Sequence, residues 1–175
     1  ALAFDRDTFT TDLNQLEETK LKAVLTNCCG ASKWVNEMAG RFPFESEDAL
    51  FKLAEKIWFE HCGKADWLEA FSHHPKIGDL KSLEKKFANT RDWSGQEQAG
   101  VNLATKEVLK ALAEGNKAYE EKFGYIFIVC ATGKSASEML AMLQNRLEND
   151  PKEEIHIAMQ EQHKITEIRL NKLLD

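Results

Sequence analysis

Apolar residues recur along this chain at steps of three and four, the spacing that gathers them on one face of a helix. Leu21, Val24, Leu25 and Cys28 mark a helix over 17–29, and Gly30 stands where a glycine ends one. Trp34, Val35 and Met38 mark a second over 31–39, halted before Gly40 and Pro43. Ser46 is placed to cap a third that runs to about Cys62, with Leu50, Leu53, Ile57 and Trp58 inward and Gly63 closing it. Trp67, Leu68 and Phe71 line a fourth over 64–73. A short turn over 9–16 and a poorly specified helix over 79–88, with a connection over 89–93, complete the first half.

The second half carries the longest pattern, from Ser94 to about Phe123, with Val101, Ala104, Val108, Leu112, Tyr119 and Phe123 near one face. Gly115 weakens that helix by about 1 kcal/mol relative to alanine without breaking it. Ser135 and Glu138 have capping-box spacing for a helix to Glu148. Asp150-Pro151, with Glu153 following, opens a last helix to about Leu173. With only three prolines and no asparagine-glycine pair, an all-β fold is disfavoured. The expectation is an all-α protein, a single-domain bundle of eight to nine helices over 1–175, without internal repeats.

One stretch breaks the helical pattern. Gly124 to Ala131 (Gly-Tyr-Ile-Phe-Ile-Val-Cys-Ala) is aromatic and β-branched, which favours extended backbone. No second strand is available to pair with it, so its backbone groups need side chains, water or a ligand as partners. The plainer alternative is the buried start of a helix. Gly133-Lys134-Ser135 beyond it has the ending of a phosphate-binding loop, but Ile128 stands where that loop needs a glycine. Ser135 is better explained as a helix cap.

Composition narrows the partners. The chain has 175 residues, 43% hydrophobic and 30% charged, which suits a soluble globular domain with a real core. A formal net charge of -6 leaves no basic excess for nucleic acid or an anionic membrane, although a locally cationic pocket for a small anion is compatible with it. No run is long and apolar enough to span a bilayer. Cys28, Cys29, Cys62 and Cys130 match neither a disulfide framework nor a zinc spacing. With no apolar signal-peptide core near the start, reduced thiols in the cytoplasm are expected.

Candidate chemistry centres on Ser72-His73-His74-Pro75-Lys76-Ile77-Gly78-Asp79. A residue before proline is pushed out of helical geometry, so His74 should end or follow a helix, and Gly78 allows a tight turn. A surface histidine pair at a helix end is the bland reading. A metal reading would draw on His61 and Cys62, at spacings that match no known ligand pattern. Acid–base work suits a loop histidine better, because its pKa lies near neutrality. Ser94-Gly95-Gln96-Glu97 is a capping box by pattern, and a capped helix start also accepts anions. Glu97 could accept hydrogen bonds from urea-like N–H groups. On the last helix Ile155, Ala158, Gln162, Ile165 and Arg169 share one face, and an arginine on such a stripe must pair with a carboxylate or bind an anion. Glu161 and Lys164 point elsewhere and read as solvated surface.

Together these stretches resemble the OHCU decarboxylases (2-oxo-4-hydroxy-4-carboxy-5-ureidoimidazoline decarboxylases) of urate breakdown. His74-Pro75-Lys76-Ile77-Gly78-Asp79 is similar to their histidine-proline signature. Ser94 to Gly100 resembles a second signature, Phe123 to Ala131 with Gly133-Lys134-Ser135 a third, and Ile165 to Leu170 the family's last helix. The likeness extends from Leu13 onward and includes Cys28-Cys29-Gly30 and Trp34. His73 and Lys76 depart from the residues common in the family.

The resemblance implies an all-helical homodimer that decarboxylates a small anionic substrate to (S)-allantoin and carbon dioxide, with no metal and no organic cofactor. It implies His74 as the catalytic proton donor, and Glu97 would orient His74 or the ureido group. Pro75, Ser94, Gly95, Gln96 and Gln98 are implied as substrate contacts, as is the backbone of Phe127, Ile128, Val129, Cys130 and Ala131. Arg169 is implied as the anion partner. Two other classes stand beside this one: a non-enzymatic helical interaction module, which leaves the histidine-proline loop unexplained, and a metal-dependent hydrolase.

Overall fold

The computed structural model describes residues 13–74 and 97–174, with side chains described from residue 106 onward in the second stretch. Seven α-helices lie in these residues: α1 (Glu18–Cys28), α2 (Ser32–Gly40), α3 (Glu47–Lys56), α4 (Lys64–Ser72), α5 (Glu97–Phe123), α6 (Ala136–Leu147) and α7 (Pro151–Leu174). No strand occurs among the described residues. The expected all-α class is therefore observed. The helix anticipated over 79–88, the connection after it and the first half of the turn over 9–16 lie outside the described residues. The chain forms two compact units, one of residues 1–74 and 159–175, the other of residues 75–158.

In the first unit α2 is the hub, packing against α1, α3 and α4. Its Trp34 is wholly buried and donates Nε1–H to the Ala54 carbonyl at 3.2 Å, so a large ring enters the core with its polar atom satisfied. Trp58, at the end of the α3 stripe, does the same with Met159 O at 2.8 Å. The Ser46 cap is formed, its Oγ accepting from Ala49 N at 3.1 Å. The helix does not run uniformly to Cys62. It widens into a π turn over Ile57–His61, where Cys62 N–H reaches back to Ile57 O. Gly63 then begins α4, its N–H donating to Asp66 Oδ2 at 2.9 Å. Glu69 of α4 accepts from Ser32 N and Oγ at 2.8 and 2.6 Å, which caps α2 across the unit and fixes the end of α4 against it.

Gly30 differs from its expected role. Positive φ occurs among the described glycines at Gly124 and Gly133 only, so Gly30 is not a left-handed helix cap. A Cβ there would lie 2.3 Å from His73 Cγ. Glycine is present because the His73 ring packs directly on the backbone.

In the second unit α5 and α6 pack against each other around Leu109, Leu112, Tyr119, Met139 and Leu143. Gly115 has a positive purpose here, since a Cβ would meet Leu143 Cδ2 at 2.6 Å. Gly124, at φ 85°, ends α5 in the left-handed region that glycine tolerates. The segment after it has no regular secondary structure and is not the start of a helix. Its rings surround Tyr119, with Phe127 and Tyr125 at centroid distances of 5.2 and 5.8 Å. Ser135 caps α6, accepting from Glu138 N at 3.1 Å.

Candidate functional site

The end of α4 delivers the candidate histidine. His73 N–H bonds Ala70 O and His74 N–H bonds Phe71 O, both at 3.2 Å, so the helix tightens and stops as the proline restriction predicts. His73 is the helix-end neighbour, packed on Gly30. His74 is half-buried and turns its ring towards α7, where Nε2 lies 2.5 Å from Gln162 Oε1.

Gln162 is itself held. Its Nε2 donates to Thr166 Oγ1 at 3.1 Å, and the Thr166 hydroxyl donates to Gln162 O at 3.0 Å. Both side chains are buried, so neither loses these bonds to water. Gln162 was on the predicted stripe, but its contact with His74 spans 88 positions and no periodicity reveals it.

Arg169 lies two turns beyond Gln162 on α7. Its Nη1 donates to Asn27 O at 3.2 Å, at the C-terminal end of α1, where carbonyls lack helical partners and a cation is favoured. Among the described residues no carboxylate pairs with it. Its charge acts on His74 and on Cys28 and Cys29. For the thiols burial prevails and pushes Cys28 up to about 11 and Cys29 up to about 12. These cysteines are inert packing groups at neutral pH. For His74, burial lowers the pKa below the ordinary histidine value; the Gln162 bond opposes this, and the Arg169 and His73 charges add to it. A neutral imidazole beside a guanidinium follows.

The extended run lies in the second unit, and its carbonyls have identifiable partners. Arg146 Nη1 donates to Ile128 O at 2.6 Å, and Lys134 Nζ donates to Cys130 O at 2.7 Å. Arg146 is buried and also bonds Glu154 Oε2 through Nε and Nη2, at 2.8 and 2.6 Å. Tyr119 donates its hydroxyl to the same carboxylate. This network was not anticipated; the only available signal was an arginine and a glutamate on the apolar faces of two successive helices. It assigns Lys134 to holding a carbonyl, which removes the remaining likeness to a phosphate loop.

One expectation is corrected on α7. Glu161 is buried, 5% exposed, not solvated surface, and Lys164 Nζ pairs with it at 2.6 Å. The reason is that α7 is covered on more than one stripe: Glu154, Ala158 and Glu161 are all buried, beside Gln162 and Thr166. His61 lies 2.8 Å from Glu37 Oε1, engaged in a pair and not in a cluster with His73 and His74. Among the described residues no group of three His, Cys, Asp or Glu side chains could hold a metal. Likewise no described helix is long and apolar enough to cross a membrane. Pro75, Ser94, Gly95 and Gln96 lie outside the described residues, and Glu97 and Gln98 are described only as the backbone of the first turn of α5.

Among the described residues, the helices thus hold a half-buried, hydrogen-bonded histidine within the field of an arginine that has no carboxylate partner. The family model of the OHCU decarboxylases matches residues 14–171, and the chain belongs to that family. It is 41% identical over 146 residues to an Arabidopsis thaliana uric acid degradation bifunctional protein, across 83% of this chain but 45% of that one. The chain thus spans under half the length of that relative, and 31% of a Bacillus uric acid degradation bifunctional protein at 28% identity. A Haloferax volcanii 2-oxo-4-hydroxy-4-carboxy-5-ureidoimidazoline decarboxylase is 26% identical, across 90% of this chain and 91% of its own. Among solved structures, an OHCU decarboxylase crystallised in the presence of (S)-allantoin superposes with a TM-score of 0.68 at 40% identity, over 85% of this chain and 95% of that one.

Proposed function

We propose that this chain decarboxylates 2-oxo-4-hydroxy-4-carboxy-5-ureidoimidazoline to (S)-allantoin and carbon dioxide in urate catabolism, as a cytoplasmic homodimer that needs no cofactor. The observation that carries this reading is the His74–Gln162 bond with Arg169 alongside, in a chain of this family.

The substrate contains its own electron sink. When the bond to the carboxylate breaks, its electron pair moves into the adjacent ring carbon–nitrogen double bond, and the ring nitrogen takes a proton. The enol that remains becomes a carbonyl when its hydroxyl proton is removed and the neighbouring ring carbon is protonated on one face. A single imidazole can do both tasks, taking the proton from oxygen and returning it to carbon. Such a group must begin neutral, which is the state that burial and the neighbouring Arg169 charge favour for His74. His74 is thus the proton donor in the stereochemical step, having first been the acceptor.

Arg169 holds an anionic or carbonyl oxygen of the substrate through the donors it does not give to Asn27. Glu97 orients the ureido group or His74. The assigned substrate contacts are Pro75, Ser94, Gly95, Gln96 and Gln98, with the backbone of Phe127 to Ala131. For the extended run, Arg146 and Lys134 supply rigidity by fixing two of its carbonyls.

The test is to supply freshly generated substrate and follow optical activity together with carbon dioxide release. Release faster than the spontaneous rate, with one enantiomer of allantoin, is the expected result. Racemic product at the spontaneous rate would leave the interaction module as the better reading.

A further inference from the structure

His74 has two ring nitrogens, and the Thr166–Gln162–His74 chain bears on which of them carries hydrogen. Thr166 has one hydroxyl hydrogen, and it points at Gln162 O. Its Oγ1 is then an acceptor, so the Gln162 group facing it must be the NH2. A flipped amide would need the Thr166 hydroxyl to leave Gln162 O and rotate towards the amide oxygen. Gln162 Oε1 therefore faces His74, and a carbonyl oxygen accepts only from a nitrogen that carries hydrogen. The Cys29 thiol lies beside Thr166 and retains its own hydrogen, so it does not disturb this order.

We infer that Gln162 is a positioning residue: locked by Thr166, it holds His74 in a single ring orientation with hydrogen on Nε2 and leaves Nδ1 to take up and return the proton. The proposal rests on the decarboxylase reading for its catalytic consequence, but the tautomer itself does not depend on that reading. Arg169 and His73 are the charged or titratable groups that act on the same ring, and neither accepts a hydrogen bond from it among the described residues. Among the described residues Gln162 is the group that accepts from the ring, and Glu97 is left to the ureido group.

The experiment uses the full chain labelled with 15N-histidine, with two-bond ring correlations recorded at pH 8 and His74→Ala identifying the His74 signals. Wild type should show the neutral tautomer with hydrogen on Nε2. Gln162→Leu removes the acceptor and should yield a mixture of tautomers, with kcat reduced roughly tenfold or more and KM within about threefold. Thr166→Val, which keeps the shape of the side chain, should give a smaller change of the same kind. Gln162→Glu keeps an acceptor and adds a charge that stabilises imidazolium, so activity should recover relative to Gln162→Leu and its acid limb should move to higher pH. Hydrogen on Nδ1 in wild type would overturn the proposal whatever the variants do. So would Gln162→Leu with wild-type kcat and pH profile. An Nε2–H tautomer in a chain that releases no carbon dioxide would keep the geometry and refute the decarboxylase reading instead.

Discussion

The buried Arg146–Glu154 pair offers the most exacting test of how the extended run is held. Arg146→Met keeps the length and apolar stem of the side chain and removes its charge and all its donors. Glu154, with no exposed surface, would lose two charge-assisted bonds at 2.8 and 2.6 Å and retain Tyr119 Oη and Asn149 Nδ2. Ile128 O would lose its bond from Nη1, and the Phe127 ring a guanidinium 4.5 Å from its centroid. Breaking a buried pair by deleting one partner costs about 3–5 kcal/mol, because the remaining charge is left uncompensated. For a chain of this size about 1 kcal/mol moves the melting midpoint by roughly 2–4 °C, so a fall of roughly 6–20 °C is expected. Urea titration at pH 7 reads the free energy directly. Arg146→Met combined with Glu154→Leu should be less destabilised than the sum of the single changes, since no buried charge remains. A loss under about 1 kcal/mol for Arg146→Met, or strict additivity in the double variant, would refute the reasoning.

Three further outcomes follow from the same geometry. Gly115→Ala should destabilise by about 1–3 kcal/mol in chemical denaturation despite the better helix former, because its Cβ would meet Leu143 at 2.6 Å; a gain in stability would show that the helices part easily. His74 and His163 are both held below the ordinary histidine value by burial, so between their folded values and about 6.5 the unfolded chain binds more protons. Stability should therefore be full above about pH 6.5 and fall as the pH drops through their folded values, seen as a declining melting temperature that His74→Ala partly flattens. Arg169→Met should raise KM at least tenfold with a smaller effect on kcat in steady-state assays, and an unchanged KM would leave Arg169 with only its bond to Asn27.

Helical periodicity made most of the scaffold legible. Leu21, Leu50, Phe71 and Leu112 on the expected stripes are buried, and the Ser46 and Ser135 caps form as their spacing indicates. Local rules placed these features because each depends on residues within a few positions. Tertiary relations were not legible in that way. Gly30 reads as a helix cap until His73 is found against its backbone, and Glu161 reads as surface until α7 is seen to be covered on several sides. The extended run was anticipated from its β-branched and aromatic residues, but its partner Arg146 lies 18 positions beyond Ile128, on the following helix. At the candidate site, proline restriction singled out His74 over His73, and helical spacing put Arg169 on the same stripe as Gln162. The link between them, Gln162 oriented by Thr166, needed coordinates, because a glutamine on an apolar stripe gives no hint of its partner.

The central claim is that His74 carries the proton that sets the configuration of the product. The direct measurement is the rate and enantiomeric excess of allantoin formed from freshly generated substrate by wild type and His74→Ala, both confirmed folded by circular dichroism. The account predicts rapid formation of the S enantiomer by wild type, and for His74→Ala a kcat lower by about 100-fold or more with largely racemic product. Undiminished rate and the same enantiomeric excess in the variant would contradict it.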